Sequence, residues 1–149
     1  MESINLREVN VNYGRASEYS SFTHPEGVVG FLRSIAPNNS QEHVIAVYLD
    51  GKHSPIGYSI VHTGLANSCP VHPREVFQRA VLLGACALIL AHNHPSGPAE
   101  RSRDDDKVTK DIAAAGKLLG IKLLDHIIFT DSEYFSYETA NKLHEVCNA

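Results

Sequence analysis

The feature that most constrains this chain is an apolar strand that runs directly into two histidines. Residues 85–90 are a continuous apolar run, which is typical of a buried strand. Alternate side chains of an extended chain point to the same face, so His92 and His94 are expected to lie side by side at its end. Pro95 and the Gly97-Pro98 pair then indicate a loop. The chain is therefore predicted to present two imidazoles together at one edge of a sheet.

An acidic segment returns shortly after this loop. Ser102 is a predicted helix N-cap, and the acidic residues 104–106 follow it in the first turn. Two imidazoles and a carboxylate form the ligand set that holds catalytic zinc and leaves one position for water. Each of the two patterns alone can be explained without a metal. Histidines at a strand end are commonly solvated, and Ser-x-x-Asp also matches a capping box. Their combination at a strand-to-helix junction favours a metal site.

The segment from His92 to Asp105 resembles a known motif. Its pattern, His-x-His, seven residues, Ser-x-x-Asp, is similar to that of the JAMM (MPN-plus) metalloproteases, and His-Asn-His-Pro-Ser-Gly resembles their RadC-like branch. Residues 73–77 and 123–128 extend the resemblance to about residues 40–140. The sequence departs from the RadC-like pattern at Arg101, where proline is common. This departure changes the stiffness of the loop and not the identity of the ligands.

The resemblance implies a bound Zn²⁺ with three protein ligands, His92, His94 and Asp105. Zinc would lower the pKa of a water molecule toward about 7 and so make a nucleophile available near neutral pH. Asp104 and Asp106 remain alternative ligands if the register of the loop differs from that of the family.

The resemblance also implies two catalytic residues. Glu42 begins the strand that follows the first predicted helix and matches the family's upstream glutamate, so it would accept a proton from the water and pass it to the leaving nitrogen. The hydroxyl of Ser102 would help to hold the oxyanion. Glu75 competes for the role of Glu42, although a carboxylate in the first turn of a helix is also favoured by the helix dipole.

Hydrophobic periodicity predicts an α/β domain. A first helix is predicted to begin at Thr23, which would cap it in a capping box with Glu26. The remaining predicted elements are strands over residues 41–49 and 56–62, a helix over 73–83, a strand over 85–90, a helix over 103–119, strands over 121–130 and 134–136, and a helix over 137–146.

This order suggests a single-domain, three-layer-like sandwich on a mixed β-sheet, in line with the JAB/MPN, cytidine-deaminase-like architecture that the resemblance implies. The domain is expected over residues 23–149, after a leader over residues 1–22 that could be an edge strand. Within the later strand, Asp125 and His126 are expected to form a structural hydrogen-bonded pair and not to bind metal.

Charge and composition exclude several classes of protein. The 13 basic residues are outnumbered by 17 acidic ones, and no basic block stands out, so nucleic acid is not expected as a tight direct ligand. No signal peptide or membrane-spanning run is evident, and the three cysteines, Cys69, Cys86 and Cys147, do not form a disulfide framework. We therefore expect a cytoplasmic protein, and the terminal helix leaves a homodimer open.

The sequence thus predicts a zinc-dependent metallohydrolase, a metallopeptidase or isopeptidase that acts on a peptide or protein, and the resemblance allows a ubiquitin-like conjugate as substrate. Two alternatives come from other classes. One is a DNA-repair-associated nucleic-acid-binding protein, suggested by the association of the RadC name. The other is a non-catalytic interaction module with the JAB fold, which would be expected to lack some of the five site residues that are all present here.

Overall fold

Five strands form one mixed sheet in a computed structural model that describes residues 22–37, 40–64, 71–95 and 97–149. The strand order is β2-β1-β3-β4-β5. Strands β3 and β4 are parallel, and every other neighbouring pair is antiparallel. The strands are β1 (Glu42–Leu49), β2 (Pro55–Gly64), β3 (Ala87–Asn93), β4 (Lys122–Phe129) and β5 (Tyr134–Ser136).

Helices cover both faces of the sheet. They are α1 (Pro25–Ile35), α2 (Pro73–Leu83), α3 (Arg103–Leu119) and α4 (Lys142–Asn148). Helix α1 packs through Val28 and Leu32 on the face that carries Ile45 and Ile89. Helices α2 and α3 cover the opposite face, in one apolar cluster with the alternate residues of β1 and β3. The predicted α/β sandwich on a mixed sheet is confirmed.

The start of α1 differs from the prediction. The N-cap is His24 and not Thr23, and no side chain caps the helix there. Pro25 occupies the first helical position, where its fixed φ suits the helix and its missing N–H removes one of the donors that a helix start leaves unpaired. Of the predicted leader, residues 1–21 lie outside the described part of the chain, so the proposed edge strand stays a prediction.

Helix α3 lies in the crossover from β3 to β4 and begins as predicted. Ser102 is its N-cap, and a full capping box with Asp105 is present. Gly120 ends the helix in the left-handed conformation that favours glycine. The N-terminus of α3 therefore faces the C-terminal end of β3, which is where an α/β sheet usually binds its ligands. In the described ranges no helix is both long and apolar enough to cross a bilayer.

Candidate metal centre

The site lies where the start of β1 meets the end of β3. These strands are antiparallel and Val44 pairs with His92, so Glu42 and His94 extend to the same end of the sheet. Glu42, His92 and His94 each offer a ligand atom, and these atoms lie within 4.8 Å of one another. No other such group of three was found in the described parts of the chain. The structure thus brings together three residues that are up to 52 positions apart in sequence.

The two imidazoles face each other through their Nε2 atoms. These atoms are 3.0 Å apart, with the His92 ring buried and the His94 ring half-buried. The Nδ1 of His94 lies 3.0 Å from the carbonyl oxygen of Pro98. Because a carbonyl only accepts, this Nδ1 carries the proton, and the Nε2 of a neutral His94 is left with a free lone pair. The loop after β3 therefore orients His94 with its free nitrogen toward His92.

Asp105 joins the site from the first turn of α3. Its Oδ1 is 3.2 Å from the Nε2 of His92, and its Oδ2 accepts from the backbone N–H and the hydroxyl of Ser102, at 2.7 and 2.8 Å. Burial by itself would raise the pKa of this carboxyl, but the His92 ring and the Ser102 donors hold that pKa well below its usual range. Asp105 is therefore held as a carboxylate beside His92.

The competing carboxylates are directed elsewhere. Asp106 accepts two hydrogen bonds from Arg101, at 2.7 and 2.8 Å, and one from the hydroxyl of Tyr137 at 2.8 Å. Asp104 is exposed, as is Glu75 in the first turn of α2. None of these three carboxylates belongs to the cluster of Glu42, His92 and His94, and neither does the predicted ligand Asp105.

Two buried polar residues behind His92 were not predicted as part of the site. The Nε2 of His126 lies 2.9 Å from the Nδ1 of His92, and its own Nδ1 lies 2.7 Å from the hydroxyl oxygen of Thr109. Burial, and then the neighbouring His92, lower the pKa of His126 to about 3. His126 is thus a neutral imidazole that touches a candidate ligand.

The expected pairing of Asp125 with His126 is not formed between their side chains. The Asp125 carboxylate accepts from the hydroxyl of Ser136 and the backbone N–H of Glu138, at 2.6 and 3.0 Å. The ring of His126 is directed to His92 and Thr109 instead, since successive residues of a strand point to opposite faces. The sequence indicated that Asp125 and His126 form hydrogen bonds, but it did not indicate their partners.

A third unpredicted residue lies between the two histidines. Asn93 is buried, and its side chain is hydrogen-bonded to the backbone of the two residues that flank Glu42. On the opposite face from His92, it fixes the end of β3 to the start of β1. A cleft of about 250 Å³ opens beside His94, and Phe129, Thr130 and Glu133 are among its other lining residues.

Two separations within the donor set are close to those around a tetrahedral zinc ion. Ligands at 2.0–2.1 Å from tetrahedral zinc lie about 3.3 Å from each other. The two imidazole nitrogens are 3.0 Å apart, and the Asp105 oxygen is 3.2 Å from one of them. The nearest-neighbour separations in the protein are therefore close to those that the metal requires.

This fold and this donor set define a JAB-type domain with a candidate metal centre. The family model described as "RadC-like JAB domain" matches residues 22–143, and the chain belongs to that family.

Curated relatives support this assignment over the same part of the chain. The chain is 41% identical over 116 residues to a UPF0758 protein of Carboxydothermus hydrogenoformans, covering 78% of this chain and 51% of the relative. It is 46% identical over 112 residues to one of Bacillus licheniformis, covering 75% and 50%. It is 42% identical over 123 residues to one of Trichlorobacter lovleyi, covering 83% and 54%. The chain spans about half the length of these relatives.

Proposed function

We propose that this chain is a zinc-dependent hydrolase of amide bonds, acting on a peptide or isopeptide bond of a protein substrate. One observation carries the proposal: two imidazole nitrogens 3.0 Å apart, with a carboxylate oxygen 3.2 Å from one of them, meet at the end of a strand. In addition, the JAB superfamily to which the domain belongs includes hydrolases.

His92, His94 and Asp105 would hold the metal. The Oδ1 of Asp105 is 3.2 Å from the Nε2 of His92, whereas Glu42 has an oxygen within 4.8 Å of a ring nitrogen of both histidines. The family motif assigns the third ligand to Asp105 and leaves the Glu42 carboxylate beside the site. When bound, zinc would polarise the substrate carbonyl and lower the pKa of water to about 7.

Glu42 would transfer the proton. It is half-buried at the strand end, next to both candidate histidine ligands, and a carboxylate there can accept a proton and return it to the leaving nitrogen. Glu42 is thus a base without being a required ligand, and the two roles can be separated by substitution.

Ser102 would donate to the oxyanion. Its hydroxyl now donates to the Oδ2 of Asp105, but the backbone N–H of Ser102 donates to the same oxygen. The hydroxyl hydrogen can therefore turn to a substrate while Asp105 keeps one donor and the cap keeps its acceptor oxygen. Loss of a single oxyanion donor costs about 10²–10³ in kcat where it has been measured.

The test is elemental analysis of the purified protein together with hydrolysis of peptide and isopeptide amides. We expect about one zinc per chain in the wild type, as a three-ligand site holds. His94→Ala and Asp105→Asn should lose the zinc. Glu42→Gln should keep the zinc and lose hydrolysis.

Matched controls lie on the same elements. Asp104→Asn alters an exposed carboxylate next to Asp105, and Glu75→Gln alters one in the first turn of α2, so both should keep zinc and activity. If zinc were lost in Glu42→Gln and kept in Asp105→Asn, the third ligand would be Glu42 and not Asp105. A folded wild type that takes up no metal when zinc is supplied would overturn the proposal and favour a non-catalytic module.

A further inference from the structure

A chain of buried polar groups leads from Asp105 to the far side of the His92 ring. The hydroxyl of Thr109 lies 2.7 Å from the backbone carbonyl of Asp105, one turn earlier in α3, and 2.7 Å from the Nδ1 of His126. The Nε2 of His126 then lies 2.9 Å from the Nδ1 of His92. Thr109 and His126 are 0% and 1% exposed, so these contacts are shielded from water.

The available donors and acceptors fix the direction of each hydrogen bond in this series of polar groups. A carbonyl can only accept, so the single hydroxyl proton of Thr109 goes to Asp105. The Thr109 oxygen must then accept, which places the proton of a neutral His126 on Nδ1. The Nε2 of His126 is left as an acceptor and receives the proton on the Nδ1 of His92. With its Nδ1 proton held in this way, His92 has only its Nε2, which faces His94 and Asp105, left to bind a metal.

We propose that His126 and Thr109 are positioning residues that hold His92 in the tautomer whose Nε2 is free to bind a metal. The role of this hydrogen-bonded series in metal binding rests on the metal centre proposed above. The protonation of His92 and His126 does not depend on that proposal. Ligating histidines commonly donate their second N–H to a carboxylate, a carbonyl or water. In this protein the acceptor is another imidazole, whose own state is set by a threonine.

Packing holds the His126 ring in its place. The ring of Tyr137 is stacked on it, with centroids 5.1 Å apart and an interplanar angle of 8°. The Tyr137 hydroxyl is in turn fixed by Asp106 at 2.8 Å. The ring of His126 therefore cannot turn away from His92 without breaking this stack, and the hydrogen-bond direction is preserved.

The first experiment is nitrogen NMR of the metal-free, full-length chain with labelled histidine. Long-range proton–nitrogen correlations distinguish a protonated ring nitrogen from an unprotonated one. We expect His92 and His126 to be protonated at Nδ1 in the wild type and in Thr109→Ser, which keeps the hydroxyl. In Thr109→Val, which has almost the same shape, the assignment should be lost or mixed.

The second experiment is zinc affinity by competition with a chromogenic chelator. Loss of such an outer partner of a ligand typically weakens metal binding by about 10–100-fold. We expect a loss of this size in Thr109→Val and near wild-type affinity in Thr109→Ser. Ile112→Val, which trims a buried side chain of the same helix outside the polar chain, should lower stability and leave zinc affinity unchanged.

Two results would overturn the inference. One is a His92 that is unprotonated at Nδ1 in the metal-free wild type, and the other is a Thr109→Val protein in which the protonation of His92 and His126 is unaltered. If the wild type takes up no zinc, the proposed hydrolase function fails, and the nitrogen assignment alone decides the inference about His126 and Thr109.

Discussion

Asn93 holds the backbone on both sides of Glu42. Its Oδ1 accepts from the backbone N–H of His43 at 2.7 Å, and its Nδ2 donates to the carbonyl of Gln41 at 2.9 Å. The middle residue of the His-Asn-His sequence therefore has a structural role of its own between the two candidate ligands. It faces away from them and fixes the position of the strand that carries the proposed base.

Asn93→Ala is expected to destabilise the protein by about 1–3 kcal/mol, because it leaves the buried N–H of His43 and the carbonyl of Gln41 without their partner. The free energy of unfolding in urea measures this loss. Asn93→Asp keeps an acceptor for the N–H of His43 but loses the donor to Gln41. Equal stability of the alanine variant and the wild type would show that water replaces the amide.

Ser102→Ala is expected to cost about 1 kcal/mol of stability, within the range of about 0.5–2 kcal/mol found for N-caps, because the N–H of Asp105 loses its acceptor. Thermal unfolding measures the change. Ser102→Thr retains a hydroxyl and should recover most of the loss. If the proposed oxyanion role is correct, the alanine variant should also lose far more hydrolytic rate than the threonine variant.

Asp125 is expected to make stability depend on pH. Burial raises the pKa of its carboxyl to about 6, and the hydroxyl of Ser136 and the N–H of Glu138 only partly offset this effect. The pKa in the unfolded chain is the usual 3.8. The folded protein holds this proton more tightly, so the contribution of Asp125 to stability is most favourable below about pH 4 and falls as the pH rises through about 6.

Asp125→Asn removes this titration. The difference in unfolding free energy, variant minus wild type, should therefore rise by about 1–3 kcal/mol between pH 4 and pH 7. Urea titrations at several pH values measure it, and exposed Asp104→Asn is the control with no such trend. A difference that is flat across this range would contradict the raised pKa.

Gly116→Ala is expected to destabilise α3 strongly. A Cβ at Gly116 would lie less than 3.0 Å from the backbone oxygen of Ile121 and 3.2 Å from the ring of Phe77. Overpacking of this kind typically costs about 1–3 kcal/mol. Gly30→Ala, in α1 with open space around its Cβ, should instead be neutral or stabilising by up to about 1 kcal/mol. The thermal midpoint should fall in Gly116→Ala and should stay unchanged or rise in Gly30→Ala.

Local signals predicted most of the fold. The bounds of α2 and α3 agree with prediction because proline, N-cap and left-handed glycine residues mark their ends. The bounds of β5 also agree, whereas those of the other strands differ by up to three residues, since the extent of a strand depends on its partners. The capping box of Ser102 and Asp105 is confirmed, whereas the one predicted at Thr23 is wrong because Pro25 begins the helix without it.

Long-range partners could not be predicted. His126 and His92 are 34 residues apart and meet because β3 and β4 are parallel, with a register shift between Leu88 and Ile89. Neither the pairing nor the irregularity leaves a periodic signal in the sequence. The only partner that the sequence could suggest for His126 was its neighbour Asp125. The proximity of Glu42 to the histidines, by contrast, was expected from the family motif.

The two oxygens of Asp105 serve different parts of the molecule. One belongs to the cap of α3, and the other faces His92. The first turn of α3 thus places the carboxylate beside the end of β3. A metal ion bound there would tie the start of a helix to the end of a strand, so it would stabilise both elements of the folded protein together.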